Sequence, residues 1–214
     1  MKKILLASAL AFSLMASAQI DFRNTRFGLT AGVNNSRVKN AHNPSGGRFA
    51  FQGGVLALIP MGSSNQFFLQ PEVVYYGAGE SGKDKDAKGM QGYNAMYANN
   101  YISVPVSFKG YFSEAESEFF GQIGPRFNFL IDQKVTDESR EIYRTDRFGK
   151  AKSFNFALGA GIGYSYKRQL ELTLKYDFGL SNTYPDLDES KIDPNSAKKK
   201  SEQVLSLSLS YIFK

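Results

Sequence analysis

Six ionisable residues, Glu72, Lys109, Arg126, Glu171, Lys175 and Asp177, sit in segments where every second position is free of charge. They total three positive and three negative charges. If the face they share is enclosed, each must be paired and hydrogen-bonded, because a lone buried charge is costly. A balanced set of this kind makes an ionic plug, whereas a solute path would show a ring of one sign. Other chemistry is sparse. There is no cysteine, so thiol chemistry is excluded, and a single histidine rules out a multi-histidine metal site. His42 with Ser45 or Ser36 and an acidic partner would be the elements of a lipid hydrolase or acyltransferase. A single loop histidine with no positioned partner is ordinarily a solvated side chain, so no catalytic residue, metal site or cofactor is assigned. The Gly-Gly pairs at 46–47 and 53–54 lack the strand-to-helix context and Lys-Ser/Thr of a phosphate loop.

The elements that must hold the six charges are strands. Eight segments alternate with a period of two: 27–33, 49–59, 67–77, 102–112, 119–131, 154–164, 170–180 and 205–213. In each, one parity carries only apolar, aromatic, Gly or Pro residues. The other parity carries the six charges together with Thr30, Gln52, Ser107, Asn128 and Ser206. A soluble sheet would place some charge on both faces. A face wholly purged of charge is the pattern of strands against hydrocarbon. Gly124, Gly159, Gly161, Gly163 and Gly179 fall on or beside the charged face, where they would make room for large side chains or allow close backbone approach.

The connections alternate in length. Long ones span 37–47, 79–96, 132–152 and 181–201; short ones span 60–65, 113–117 and 167–169. Long loops outside and short turns inside are what an even-stranded up-and-down barrel predicts, with both ends of the chain in the periplasm. The expected fold is therefore all-β, an eight-stranded antiparallel up-and-down transmembrane β-barrel with strands of about 9–14 residues. Pro71, Pro105 and Pro125 lie inside predicted strands, where each removes a ladder donor and predicts a bulge or bend. Tyr and Phe crowd the strand ends, among them Phe67, Phe68, Tyr75, Tyr76, Tyr97, Tyr101, Tyr111, Phe112, Phe119, Phe120, Tyr164, Tyr166, Tyr211 and Phe213. Interfacial aromatic girdles account for them, although tryptophan is absent. The net charge of +6 invites a nucleic-acid partner, but the long loops are close to neutral and none is expected. Lys198, Lys199 and Lys200 read as a solvated run or a contact with anionic lipid headgroups.

The ends agree with export. Lys2 and Lys3, the apolar run Ile4–Met15 and Ala16-Ser17-Ala18 form a secretory signal over 1–18. The mature barrel then spans 19–214 and its charge falls from +6 to +4 with the loss of those two lysines. The chain closes on alternating Leu205, Leu207, Leu209, Tyr211 and Phe213, an aromatic-terminated last strand with Lys214 beyond it. As the edge of a soluble sheet this segment would aggregate. Without disulfides, stability has to come from a closed hydrogen-bond ladder.

Several strand motifs resemble those of the Bacteroidota-type outer-membrane β-barrel family often named PorT-like. They are Leu69-Gln70-Pro71-Glu72-Val73-Val74-Tyr75, Tyr101-Ile102-Ser103-Val104-Pro105-Val106, Gly121-Gln122-Ile123-Gly124-Pro125-Arg126 and Lys175-Tyr176-Asp177-Phe178-Gly179-Leu180-Ser181-Asn182, with the alternating ending. The resemblance implies an eight-stranded outer-membrane barrel. Its namesake takes part in type IX secretion; these motifs carry fold and do not by themselves transfer that role. The expected function is a structural or interaction barrel with a plugged interior, not an enzyme. It would meet outer-membrane lipid, and other envelope proteins through its long loops or periplasmic turns, with a monomer favoured. A narrow solute pore and a lipid-modifying enzyme are the alternatives. A soluble carrier barrel would turn its apolar face inward instead.

Overall fold

A computed structural model describes residues 22–41, 46–82, 96–135, 149–187 and 197–213. The expected export signal and its cleavage site lie outside the described residues. The strands are β1 (Arg26–Lys39), β2 (Gly46–Pro60), β3 (Phe67–Ser81), β4 (Met96–Tyr111), β5 (Glu118–Val135), β6 (Phe154–Tyr166), β7 (Leu170–Gly179) and β8 (Ser201–Ile212). They close in chain order, each antiparallel to the next. The seam is β1 on β8, registered from Gly28 opposite Ile212 to Lys39 opposite Ser201. The Phe213 amide extends that seam by donating to the Phe27 carbonyl at 2.7 Å. Closure leaves no open edge, which is what a strand structure needs in hydrocarbon. No helix among the described residues is long and apolar enough to cross a membrane.

The alternation expected from sequence sets the two faces. On β7, Leu170, Leu172, Leu174, Tyr176 and Phe178 point out, while Glu171, Thr173, Lys175 and Asp177 are buried. Of the residues expected to face out, Ile59 and Gly77 are exceptions and are buried. The strands run longer than expected, up to 18 residues in β5. β3 continues to Ser81, β4 starts at Met96 and β5 reaches Val135, taking in residues assigned above to loops. The charge-free pattern stops where hydrocarbon stops. The hydrogen-bonded ladder does not depend on lipid, so it continues into the aqueous phase beyond.

Two other expectations are corrected. The prolines make no bulge: register is the same on both sides of Pro71, Pro105 and Pro125, although Ala57 and Pro71, Glu72 and Pro105, and Val106 and Pro125 drop out as ladder pairs, as a missing donor requires. The irregularities fall instead between Gly47 and Gln52 and between Asn100 and Tyr101, toward the long-loop end. The aromatic residues at strand ends also divide in two. Phe67, Tyr75, Phe112, Phe119, Tyr164, Tyr166, Tyr211 and Phe213 face out. Phe68, Tyr76, Tyr97, Tyr101, Tyr111 and Phe120 are buried inside. Adjacent residues of a strand point to opposite faces, so each aromatic doublet can supply only one girdle residue.

A closed ladder around a charge-free exterior predicts a barrel that stays folded in sodium dodecyl sulfate until heated. Its band should migrate differently in boiled and unboiled samples, and circular dichroism of the detergent-folded protein should show strand. A helix-dominated spectrum would contradict the architecture.

Candidate functional site

The lumen is the one enclosed volume the strands build, and it is filled in layers. At the short-turn end, Leu56, Leu58, Phe68, Tyr111, Phe120 and Ile212 form an apolar floor. Lys109 stands on it, with its ammonium 4.0 Å from the Phe120 ring centre and 5.1 Å from that of Tyr111. Its charge is met by Glu171, to which it donates directly. Glu171 also accepts from the Tyr111 hydroxyl at 2.5 Å, and Lys109 donates to Gln70 Oε1 at 3.1 Å. Both ions are fully enclosed, so the pair is held by hydrogen bonds on each partner, as a buried pair must be. Gly163 makes room for this layer: a Cβ there would lie 2.3 Å from the Phe120 ring.

The middle layer is polar. Arg126 is buried, and its guanidinium lies 3.8 Å from the Tyr76 ring centre. It donates from NH1 to Asp177 Oδ2 at 2.5 Å and from Nε to Ser103 Oγ at 2.7 Å. Lys175 Nζ lies 3.5 Å from Asp177 Oδ1. Gly159 leaves the space these side chains use, since a Cβ there would lie 2.3 Å from Asp177 Oδ1. Glu72 is half-buried and accepts from Gln70 Nε2 at 2.9 Å. Glu72 and Arg126 carry opposite charge on the same inward face but do not pair. The structure gives Arg126 to Asp177 instead. β3 and β7 each lie one strand beyond a neighbour of β5, so strand order does not decide between them; Glu72 is held by Gln70 on its own strand, while the Asp177 carboxylate lies against the Arg126 guanidinium. The free volume left in this layer is about 20 Å³, room for about one water.

Toward the long-loop end, Tyr76, Ala78, Tyr101 and Val204 pack together, and above them Val38, Ala41, Tyr97, Ala151, Tyr184 and Leu187 form a second apolar cluster. Ala151, Tyr184 and Leu187 come from loops that fold down over the mouth. The Tyr184 hydroxyl accepts from Asn99 Nδ2 at 2.8 Å. Burial, with Glu80 and Glu202 nearby, pushes the Tyr184 phenol well above its ordinary pKa. Lys200 is buried here and donates to the Leu187 carbonyl, so it is not part of a solvated lysine run.

Sequence reasoning missed the latch at the opposite end. Lys167 and Arg168 both have positive φ, as a tight turn of the mirror-image type requires, although neither is glycine. The turn aims the Arg168 guanidinium at its neighbours. It donates to the carbonyls of Ala115 at 2.9 Å, Asn65 at 3.0 Å and Ser113 at 2.9 Å, pairs with Glu118, and lies 3.6 Å from the Tyr111 ring centre. One side chain thus ties its own short turn to the other two. An arginine in a turn reads as solvated in sequence, and only the closure of the barrel shows what it reaches.

His42 and Ser45 lie outside the described residues. Ser36 is buried with its Oγ donating to the Gly79 carbonyl at 3.0 Å. Among the described residues no group of acidic, histidine or cysteine side chains is placed to hold a metal through three such ligands.

No curated protein matches the chain. Among solved structures, Neisserial surface protein A is similar at 15% identity, covering 87% of this chain and 97% of its own, with a TM-score of 0.46. Ail, the attachment invasion locus protein of Yersinia pestis, is similar at 14% identity, covering 88% and 98%, with a TM-score of 0.44. OprG of Pseudomonas aeruginosa is similar at 9% identity, covering 88% and 95%, with a TM-score of 0.47. Residues 15–184 match the family model of the outer membrane protein beta-barrel domain, the greater part of the chain. With eight strands closed around a polar lumen and an apolar exterior, the chain belongs to the outer membrane protein beta-barrel domain family and resides in the cell outer membrane.

Proposed function

We propose that this protein is a plugged structural or interaction barrel, exported by the signal at 1–18 and inserted as the mature domain 19–214. It is non-enzymatic in this reading. It engages other envelope proteins through its loop-end surface or its latched periplasmic turns, in the manner of a PorT-like accessory of protein secretion. The observation that carries the reading is the interior. Between the aromatic floor and the loop-borne lid, two spaces lined by lumenal side chains hold about 20 and 10 Å³. Eight-stranded barrels have interiors that side chains can fill, and here they do. The six charges Glu72, Lys109, Arg126, Glu171, Lys175 and Asp177 serve this plug as structural ions. The wall also extends past the apolar belt: Arg37 and Lys39 on β1 and Lys134 on β5 are exposed at the long-loop end. A rigid polar rim of this kind is a surface for partners, and a passive filler would have no use for it.

In planar bilayers the protein should therefore show no stable open channel. Reproducible ohmic conductance on the scale of a wide porin would replace this reading with the solute-pore alternative. Mild detergent extraction from native membranes, followed by capture of the barrel and identification of co-purifying envelope proteins, tests the interaction role. Loss of those proteins on charge reversal at Arg37 and Lys39, with folding intact, is the expected result.

A further inference from the structure

The two ends of the barrel differ in exposed charge. At the short-turn end, among the described residues, Arg23 and Lys167 stand against Glu114 and Glu116, and Arg168 is paired with Glu118. At the long-loop end, Arg37, Lys39, Lys150, Lys152 and Lys199 are exposed. The described acids of that end that are not buried are Asp132, which lies 3.9 Å from Lys134, and Asp186. In a barrel of this class the long loops face outward, so the excess of positive charge lies at the outer leaflet.

Two of these cations are fixed to the wall. Ala151 is buried and Lys152 is exposed, which continues the alternation of β6 back from Phe154. The Lys152 amide donates to the Thr183 carbonyl at 2.9 Å, and the Ser153 carbonyl accepts from the Leu130 amide at 2.8 Å, so hydrogen bonding persists on both sides. Lys199 is held similarly. Its carbonyl accepts from Asn40 Nδ2 at 3.0 Å, and the carbonyl of Lys200 beside it accepts from the Thr183 amide at 2.8 Å. The Lys199 ammonium donates to the Leu180 carbonyl, which uses one of its three donors. The two lysines thus flank residues 180–183 from the β6 side and the β8 side. Below them, Phe154, Phe178, Leu180 and Leu205 are exposed and form the upper edge of the apolar belt. Lys152 is two residues beyond Phe154, about 7 Å along a strand. At that height a lysine lays its stem on apolar surface and holds its ammonium at headgroup level.

We propose that Lys152 and Lys199 bind the phosphate groups of an outer-leaflet lipid whose acyl chains lie on Phe154, Phe178 and Leu180. The phosphate supplies the negative charge this face lacks, and the belt beneath gives the chains an apolar contact that a free anion could not use. Arg37 and Lys39, the rim residues given above to protein partners, stay unaltered in the test, so failure here is distinguishable from failure of the partner reading. The full barrel is reconstituted in phosphatidylcholine bilayers containing either lipid A or the same lipid with its phosphates removed. The unfolding temperature is read from the folded-to-unfolded gel shift. The expected result is a higher midpoint with the phosphorylated lipid, as a ligand held by the folded state requires. The rise should shrink as sodium chloride is added, because exposed charges are screened. Lys152→Gln with Lys199→Gln should remove most of the rise, and Lys152→Arg with Lys199→Arg should keep it. Lys134→Gln, at a lysine close to Asp132, should also keep it. If the glutamine pair does not fold, each single glutamine variant should lose part of the rise. Equal midpoints with the two lipids would overturn the proposal. A rise undiminished in the glutamine variants would place the phosphate elsewhere, and a rise reproduced by inorganic phosphate without lipid A would make the site one for a free anion.

Discussion

Lys109→Met should destabilise the folded barrel by about 3–5 kcal/mol, because it leaves the Glu171 carboxylate buried without its cation. Lys109 and Glu171 are both fully enclosed, so solvent cannot replace the lost partner. Tyr111 and its hydrogen bond to Glu171 remain, which lessens the loss without neutralising the charge. The double variant Lys109→Met with Glu171→Gln removes both charges, keeps an acceptor for Tyr111 and fills the Lys109 site with an apolar chain of similar length. It should recover most of the stability lost in the single variant, since an apolar or neutral replacement of a whole buried pair is often nearly free. Equilibrium urea unfolding in lipid vesicles measures both. A double variant at least as unstable as the single one would show that the pair does not act as a unit. This pair is a cleaner probe than Arg126 and Asp177, because removing Asp177 also strips Lys175 of its neighbour.

Leu174→Arg should cost roughly 2–4 kcal/mol in the same assay, the usual loss for a cation facing lipid near the membrane midplane. Leu174 sits in the middle of β7, faces out, and pairs with Ile162 and Leu207 on the flanking strands. Leu170→Arg, on the same face at the short-turn end, should cost only about 0–1 kcal/mol, because the penalty falls toward the interface. Equal costs at the two positions, or none at either, would mean that this face does not meet hydrocarbon.

Much of the fold was legible in the chain because period and charge are one-dimensional signals. Which residues of β7 face lipid follows from alternation alone, and the closure of β8 on β1 follows from an even count of strands with an apolar last one. Strand ends were less legible. β5 reaches Val135 because hydrogen bonding continues where hydrophobic selection stops, and only the second leaves a mark on the sequence. Paired aromatics such as Phe67-Phe68 and Tyr75-Tyr76 looked alike in sequence, yet one of each lines the lumen and the other the lipid.

Sequence by itself determined which side chains enter the lumen, since a strand allows only two directions and hydrocarbon excludes charge from one of them. It did not determine which of those side chains meet. Arg126 reaches Asp177 and leaves Glu72 to Gln70, and Arg168 draws three turns together. The Arg126 and Arg168 contacts join strands and turns that are distant in the chain. They depend on curvature, stagger and the reach of each side chain, and these quantities exist only once the barrel has closed.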